Sequence, residues 1–200
     1  LTFREVETLF HEFGHALHSM MSHVKYETVS GTSVSWDFVE LPSQFMENFC
    51  TEPEVLKLFA KHYQTGEVIP NELIEKIKQS SNFMSGIGLT RQINLGLTDM
   101  AWHNGAPTGE SVADVEKKVA EQTDLYPIVP GTAVSTAFSH IFAGGYSAGY
   151  YSYMWSSVLD ADAFEAFKEK GIFNKEVSAS FRDNILSKGG TEKPMELYKR

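Results

Sequence analysis

The chain has 200 residues, 42% of them hydrophobic and 22% charged, which suits one globular domain with its own core and excludes a disordered, collagenous or cysteine-stapled chain. Its 17 basic and 26 acidic residues leave a net charge of −9, spread along the chain, which argues against a nucleic-acid partner. The single cysteine, Cys50, has no internal partner and suits a reducing compartment, and no apolar run approaches the roughly 18 residues of a membrane span.

Arg4 to Met21 is the first strong element. Leu9, Phe10, Phe13, Leu17, Met20 and Met21 recur at three- and four-residue steps, the period of a helix with one apolar face. Thr2 followed by Glu5 predicts a capping box at its start. Val24 to Phe38 alternates and is rich in β-branched residues around Gly31, which predicts a short irregular hairpin or an extended loop. A second helix is expected over Phe38 to Cys50, with Pro42 in its first turn, and a third from Pro53 to about Tyr63. Asn71 to Trp102 has helical periodicity, interrupted by Gly86, Gly88 and Gly96. A turn is expected over Asn104 to Gly109, a helix over Glu110 to Thr123 and a loop over Pro127 to Gly131. Thr136 to Lys170 reads as helical with breaks at Gly144, Gly145 and Gly149, and Lys175 to Ser187 as a helix closed by Gly189 and Gly190. The pattern is mainly α. The chain opens on Leu1, with no signal-peptide pattern, and closes on Arg200 inside a helical stretch, so the expectation is a piece of a longer protein.

His11, Glu12, Phe13, Gly14 and His15 spell H-E-x-x-H. Residues i and i+4 of a helix share a face, so two imidazoles one turn apart can converge on one metal ion. Glu12 stands about 100° further round the helix, within reach of a water on that metal. Imidazole nitrogens and a carboxylate suit zinc. The metal would draw the pKa of its water towards ~7, and Glu12 would take the proton as general base. From the 7 His and 19 Glu of this chain, the pattern is expected by chance only about 0.02 times, so a pair of merely structural histidines is the weaker reading. The extended form H-E-x-x-H-x-x-G-x-x-H fails, because positions 18 and 21 hold His18 and Met21. His18 lies about 10 Å along the axis from His11, too far to share the metal on a straight helix, and reads as a packing or supporting residue. Asp37, Glu40 and Glu47 remain as candidates for the third ligand. Glu40 opens the second helix, where a carboxylate can face the first.

Three strings near the start, LFHEFGHALH (Leu9 to His18), SGT (Ser30 to Thr32) and DFVELPSQFMEN (Asp37 to Asn48), resemble the M3 family of zinc oligopeptidases. So do FSHIFAGGYSAGYYSYMW (Phe138 to Trp155) and NILSKGGTEKPMELYK (Asn184 to Lys199). The likeness covers nearly all of the chain. It implies one zinc ion held by His11, His15 and Glu40, and so favours Glu40 over Asp37 and Glu47. It implies that His140, Tyr146 and Tyr153 act beside the scissile bond, with Tyr150, Gly144 and Gly145 on the same substrate-binding wall. The spacing between His140 and the Gly-Gly-Tyr string resembles the bacterial branch, which includes oligopeptidases and peptidyl-dipeptidases. A tyrosine hydroxyl aimed at a tetrahedral intermediate is a reasonable oxyanion donor. Four of the eight tyrosines fall between Tyr146 and Tyr153, interleaved with glycines, as suits a loop that approaches a ligand closely.

The expected fold class is therefore mainly α: a helical zincin catalytic domain with an H-E-x-x-H helix and at most a short β-hairpin. Residues 1–200 would form the C-terminal zinc-bearing portion of a larger cytoplasmic peptidase. The expected partners are short peptides and the missing N-terminal portion of the same protein, with no nucleic acid and no membrane. The expected reaction is hydrolysis of peptide bonds in short peptides. The alternatives are release of C-terminal dipeptides, or a zinc- and peptide-binding piece without turnover. Asp37 and Glu47 are candidates for supporting the zinc ligands, and each reads equally as a surface or helix-start charge. Cys50 reads as a small core residue, and Arg91 and Arg182 as solvated charges.

Overall fold

The computed structural model describes residues 1–106 and 109–200, and Pro107 and Thr108, within the turn expected over Asn104 to Gly109, lie outside the described residues. The described residues are mainly helical and contain no sheet, only an isolated antiparallel bridge between Lys61 and Val68. The helices are α1 (Phe3–Met20), α2 (Trp36–Val39), α3 (Leu41–Glu47), α4 (Pro53–Phe59), α5 (Asn71–Ser81), α6 (Ser85–His103), α7 (Val112–Thr123), α8 (Ser139–Phe142), α9 (Ser152–Lys170), α10 (Lys175–Phe181) and α11 (Pro194–Tyr198). None of them is long and apolar enough to cross a membrane. Contacts divide the chain into two compact units: one of Leu1–Ser80 with Trp155–Arg200, the other of Ser81–Met154.

The first unit is organised by α1 and α3. The capping box forms as expected: the Glu5 amide donates to Thr2 Oγ1 and the Thr2 amide to Glu5 Oε2. α3 presents Phe45, which stacks on Phe181 at 4.3 Å and meets Phe164 and Phe167 edge-on at 5.8 and 5.2 Å. Val55, Ile172 and Val177 complete this buried cluster, and Phe10 of α1 packs against it. Full burial of a side chain such as Phe45 is worth about 1.5–3 kcal/mol. A second cluster joins Phe38 and Leu41 to Leu159, Ile185 and Leu197.

Gly14 lets α1 and α3 come together. A Cβ there would lie 2.3 Å from the Pro42 carbonyl oxygen and 2.6 Å from the Ser43 Cα, so the backbone of α3 occupies the space of the missing methyl. Of the stretch from Val24 to Phe38, residues 24–35 take the extended-loop alternative rather than the hairpin, with a 3-10 turn at Glu27–Val29, and Trp36 to Phe38 already belong to α2. Its β-branched residues serve a loop clamped from two sides. The Gly31 amide donates to Ser22 Oγ (2.9 Å), and the Gly190 amide donates to the Val29 carbonyl (2.9 Å). Gly189 and Gly190 press on that loop so closely that added Cβ atoms would meet the Val29 and Ser33 carbonyls at 2.0 and 2.4 Å.

Three other expectations change. The second helix is broken at Glu40 into α2 and α3 and ends in a 3-10 turn at Asn48–Thr51. The third stops at Phe59. The stretch from Asn71 is two helices, and the break falls not at a glycine but before Ser85, where Met84 takes a left-handed conformation (φ 55°).

In the second unit α7 packs on α6, and Leu95 of α6 and Ile141 of α8 form a buried cluster with Phe138 and Tyr150. The loop before α8 is pinned by polar contacts: the Ser135 amide donates to Glu116 (2.6 Å) and the Trp102 indole to Ser135 Oγ (2.9 Å). The segment read as interrupted helix from Thr136 becomes a 3-10 turn (Ser135–Ala137), α8, an irregular loop over 143–151 and then α9.

Candidate active site

The α1 helix places His11 and His15 one turn apart, with their rings edge to face at 5.1 Å. Glu40 reaches them from the kink between α2 and α3. That kink is what frees its backbone from one continuous helix, and Pro42 starts the next turn. Its carboxylate is 1% exposed and accepts a hydrogen bond from Ser43 Oγ at 2.7 Å. Glu40 Oε2 lies 3.4 Å from His11 Nε2 and 3.3 Å from His15 Nε2. All three atoms fall within 4.8 Å of one another, the only group of its kind among the described residues.

These residues fit a zinc ion. Ligand atoms about 2.1 Å from a tetrahedral metal are about 3.4 Å apart, which matches the two distances to Glu40. The chemistry agrees as well. His11 Nδ1 sits 2.6 Å from Glu47 Oε1. A proton shared there fixes the tautomer and turns the Nε2 lone pair towards Glu40. Two nitrogens directed at one buried carboxylate oxygen call for a cation between them. Of the two carboxylates considered as supports, Glu47 therefore holds a zinc-ligand candidate, while Asp37 is half-buried on α2. The Glu47 contact raises the His11 pKa, against the opposing effect of burial, and Glu40 adds to the rise.

Glu12 is exposed on the turn between the two histidines. A cavity of about 540 Å3 opens beside His15, lined by Ser19, Thr32, Ser33, Val34 and Trp36 among others. His18 is fully buried, its ring nitrogens have no hydrogen-bond partner, and burial pushes its pKa down to about 4. It is a packing residue, as its position along the helix predicts. Cys50 is buried too, and burial pushes its thiol up to about 12, which suits an inert core residue.

In the second unit, His140, Tyr146, Tyr150 and Tyr153 form one aromatic cluster. Tyr146 stacks on Tyr153 at 5.2 Å, and His140 lies 6.1, 5.9 and 6.3 Å from Tyr146, Tyr150 and Tyr153. Their accessibility differs. His140 is exposed, Tyr146 and Tyr153 are half-buried, and Tyr150 is buried against Phe138 at 4.8 Å with its hydroxyl pKa raised by burial. Gly144 has a local reason to be glycine, since a Cβ would sit 2.9 Å from the His140 Cα and carbonyl oxygen. Gly145 has another: its φ of 88° is left-handed. One residue that sequence reasoning passed over lies beneath this loop. Asp99 of α6 is 1% exposed and accepts hydrogen bonds from loop amides. A lone Asp inside a helical pattern gave no signal of it.

Fold and site together define a mainly α chain in which the histidines of an H-E-x-x-H helix converge on the buried Glu40. The chain belongs to peptidase family M3, whose family model matches residues 1–200. It is 51% identical to oligopeptidase A of Escherichia coli over 206 residues, covering 100% of this chain and 30% of that protein. It is 41% identical to the dipeptidyl carboxypeptidase of Escherichia coli, covering 100% of this chain and 30% of that one. A probable cytosolic oligopeptidase A of Arabidopsis thaliana is 43% identical, over 99% of this chain and 29% of the relative. The chain thus spans about 30% of the length of the curated relatives it matches.

Proposed function

We propose that this chain is the zinc-bearing catalytic part of a metallopeptidase that hydrolyses peptide bonds in short peptides. The observation that carries the reading is the convergence of His11, His15 and Glu40 within 4.8 Å, with Glu12 on the same helix. His11, His15 and Glu40 would hold one zinc ion, and family membership supports that choice of metal. When bound, zinc supplies a Lewis acid that polarises the scissile carbonyl and acidifies the attacking water.

The chain's own residues do the rest. Glu12 takes a proton from the water as its oxygen bonds to the carbonyl carbon, and returns it to the amine as the C–N bond breaks. Glu47 keeps the His11 ring in one tautomer and orientation. For the second unit the assignment rests on the resemblance. Tyr146 and Tyr153 are donors to the developing oxyanion, His140 is a donor to the peptide, and Gly144, Gly145 and Tyr150 shape the substrate wall. The 49%-exposed Tyr151 is not assigned a role, whereas Tyr150, at 8%, would act mainly by supporting its neighbours. A cytoplasmic location is part of the proposal, supported by the relative named as cytosolic.

The test is metal content and peptide hydrolysis for the parent, Glu12→Gln and Glu40→Ala. The proposal expects about one zinc per chain in the parent and in Glu12→Gln, loss of zinc in Glu40→Ala, and a fall in turnover of at least about 10²-fold in both variants. Turnover retained in Glu12→Gln would remove the general-base assignment. The relative named dipeptidyl carboxypeptidase motivates a narrower form, release of C-terminal dipeptides. Product analysis on substrates with free and blocked C-termini separates the two. A second reading, metal and peptide binding without turnover, is favoured by the 30% span, and chelator-sensitive cleavage by this 200-residue chain would exclude it.

A further inference from the structure

The loop between α8 and α9 holds an unusual backbone. Within four residues it contains two left-handed conformations, at Gly145 (φ 88°) and at Ala148 (φ 54°). Glycine adopts that region freely, but alanine does so only when its surroundings impose it. Local bonds account for part of the shape. The Tyr146 amide donates to the His140 carbonyl (3.0 Å), the Gly149 amide to the Tyr146 carbonyl (2.8 Å), and the Ser147 hydroxyl to the Ile141 carbonyl. None of these bonds engages the amide of Ala148 or of Tyr150.

Those two amides are taken by one side chain. Asp99 Oδ1 accepts from the Ala148 amide and Oδ2 from the Tyr150 amide, each at 2.9 Å. The carboxylate is 1% exposed, and the third donor is the imidazole of His103, one turn along α6, with Nδ1 at 2.7 Å from Oδ1. His103 is itself braced against Phe142 at 5.6 Å. A buried carboxylate satisfied by two amides and an imidazole is a rigid anchor, and hydrogen bonds to an ionised acceptor are the strong kind.

We propose that Asp99, backed by His103, is the positioning residue that sets the loop carrying Tyr146 and fixes its ring against Tyr153 and His140. Asp99 acts through the loop backbone and touches neither substrate nor metal. Its relevance to catalysis rests on the proposed peptidase reading. Its relevance to loop geometry does not.

The experiment uses the whole chain and has two arms. Amide hydrogen exchange is followed for the parent, Asp99→Asn and His103→Ala. Replacing one carboxylate oxygen by an NH2 group sets a donor against a loop amide, so exchange at Ala148 and Tyr150 should quicken by about 10-fold or more in Asp99→Asn, with zinc content unchanged. His103→Ala removes only the third donor and should quicken the same two amides by about threefold, which keeps the test alive if Asp99→Asn does not fold. Unchanged exchange at Ala148 and Tyr150 in the folded variants overturns the anchor. The second arm is a double-mutant cycle on kcat/KM. Asp99→Asn alone should cost about 10- to 100-fold, but little more in a Tyr146→Phe background, because the hydroxyl it positions is already gone. Additive losses would mean a merely structural role and would overturn the positioning. A parent without hydrolysis would defeat the peptidase reading and leave the exchange arm to decide the anchor.

Discussion

Gly14→Ala is the sharpest probe of how the proposed zinc site is built. In free helices this change is favourable by about 1 kcal/mol, because alanine loses less backbone freedom than glycine. Here the added Cβ would lie 2.3 Å from the Pro42 carbonyl oxygen, whereas a relaxed C···O contact is about 3.3 Å. The nearest neighbours are backbone atoms, so no side chain can swing aside, and α3 must retreat by about 1 Å. Overpacking of this kind costs about 1–3 kcal/mol and outweighs the helix gain. The larger effect falls on the metal. Glu40 stands two residues before Pro42, and ligand distances are held to about ±0.2 Å, so a 1 Å retreat takes the carboxylate out of range of the two imidazoles. Zinc affinity should fall by more than about 100-fold, beyond what loss of a supporting contact does. Chelator competition measures the affinity, and thermal melting with and without zinc measures the fold. A Gly14→Ala protein that melts higher than the parent and keeps its zinc affinity within threefold would refute the packing argument.

Glu47→Ala removes the partner of His11 Nδ1 and should weaken zinc binding by about 10- to 100-fold without abolishing it, as read by the same competition assay. Asp160 is buried, and desolvation raises its pKa from 3.8 to about 6 despite the hydrogen bond donated by Asn48. The folded state therefore binds a proton that the unfolded state has released, so this group's contribution falls as pH rises from about 4 to 6, by about 3 kcal/mol. Asp160→Asn should raise stability at pH 7 by up to that amount and very little at pH 4, measured by urea denaturation; equal gains at both pH values would refute it. His18 has the opposite sign. Its pKa falls from 6.5 to about 4, so protonation favours the unfolded chain and about 3 kcal/mol is lost as pH drops from 6.5 to 4. His18→Leu should flatten that acid limb, and an unchanged pH profile would count against burial as the cause.

Much of the candidate site was legible in the sequence because its determinants are local. The capping box, the apolar period of α1 and the i, i+4 histidines all lie within 21 residues and need no tertiary information. Glu40 could be reached only with the family string beside it, since periodicity left Asp37 and Glu47 equally open. The kink that aims Glu40 escapes a sequence reading that puts Pro42 in the first turn of one helix from Phe38, whereas Pro42 has no N–H for the Phe38 carbonyl and the helix restarts at Leu41. The β-branched residues after Val24 left a hairpin and an extended loop both open, and the structure takes the loop. β-propensity reports a fit to packed surroundings, and here the surroundings are Gly189 and Gly190, supplied from the far end of the chain. Met84 makes the break that three nearby glycines seemed to offer, since helix-compatible glycines at 86, 88 and 96 meet nothing within 4 Å and stay helical.

The first unit is assembled from two stretches of chain, Leu1–Ser80 and Trp155–Arg200, and this sets an order of events during synthesis. His11, His15 and Glu40 emerge early, yet Phe45 must wait for Phe164, Phe167 and Phe181 to close the cluster around it. At about 5–20 residues per second, the 119 to 136 residues from Phe45 to Phe164 and to Phe181 take on the order of 10 s. Through that interval the apolar face of α3 has no permanent cover, and contacts of such long sequence separation are slow to form. A ribosome that stalls within the second unit would release the H-E-x-x-H helix with an open core, a substrate for chaperones and proteases.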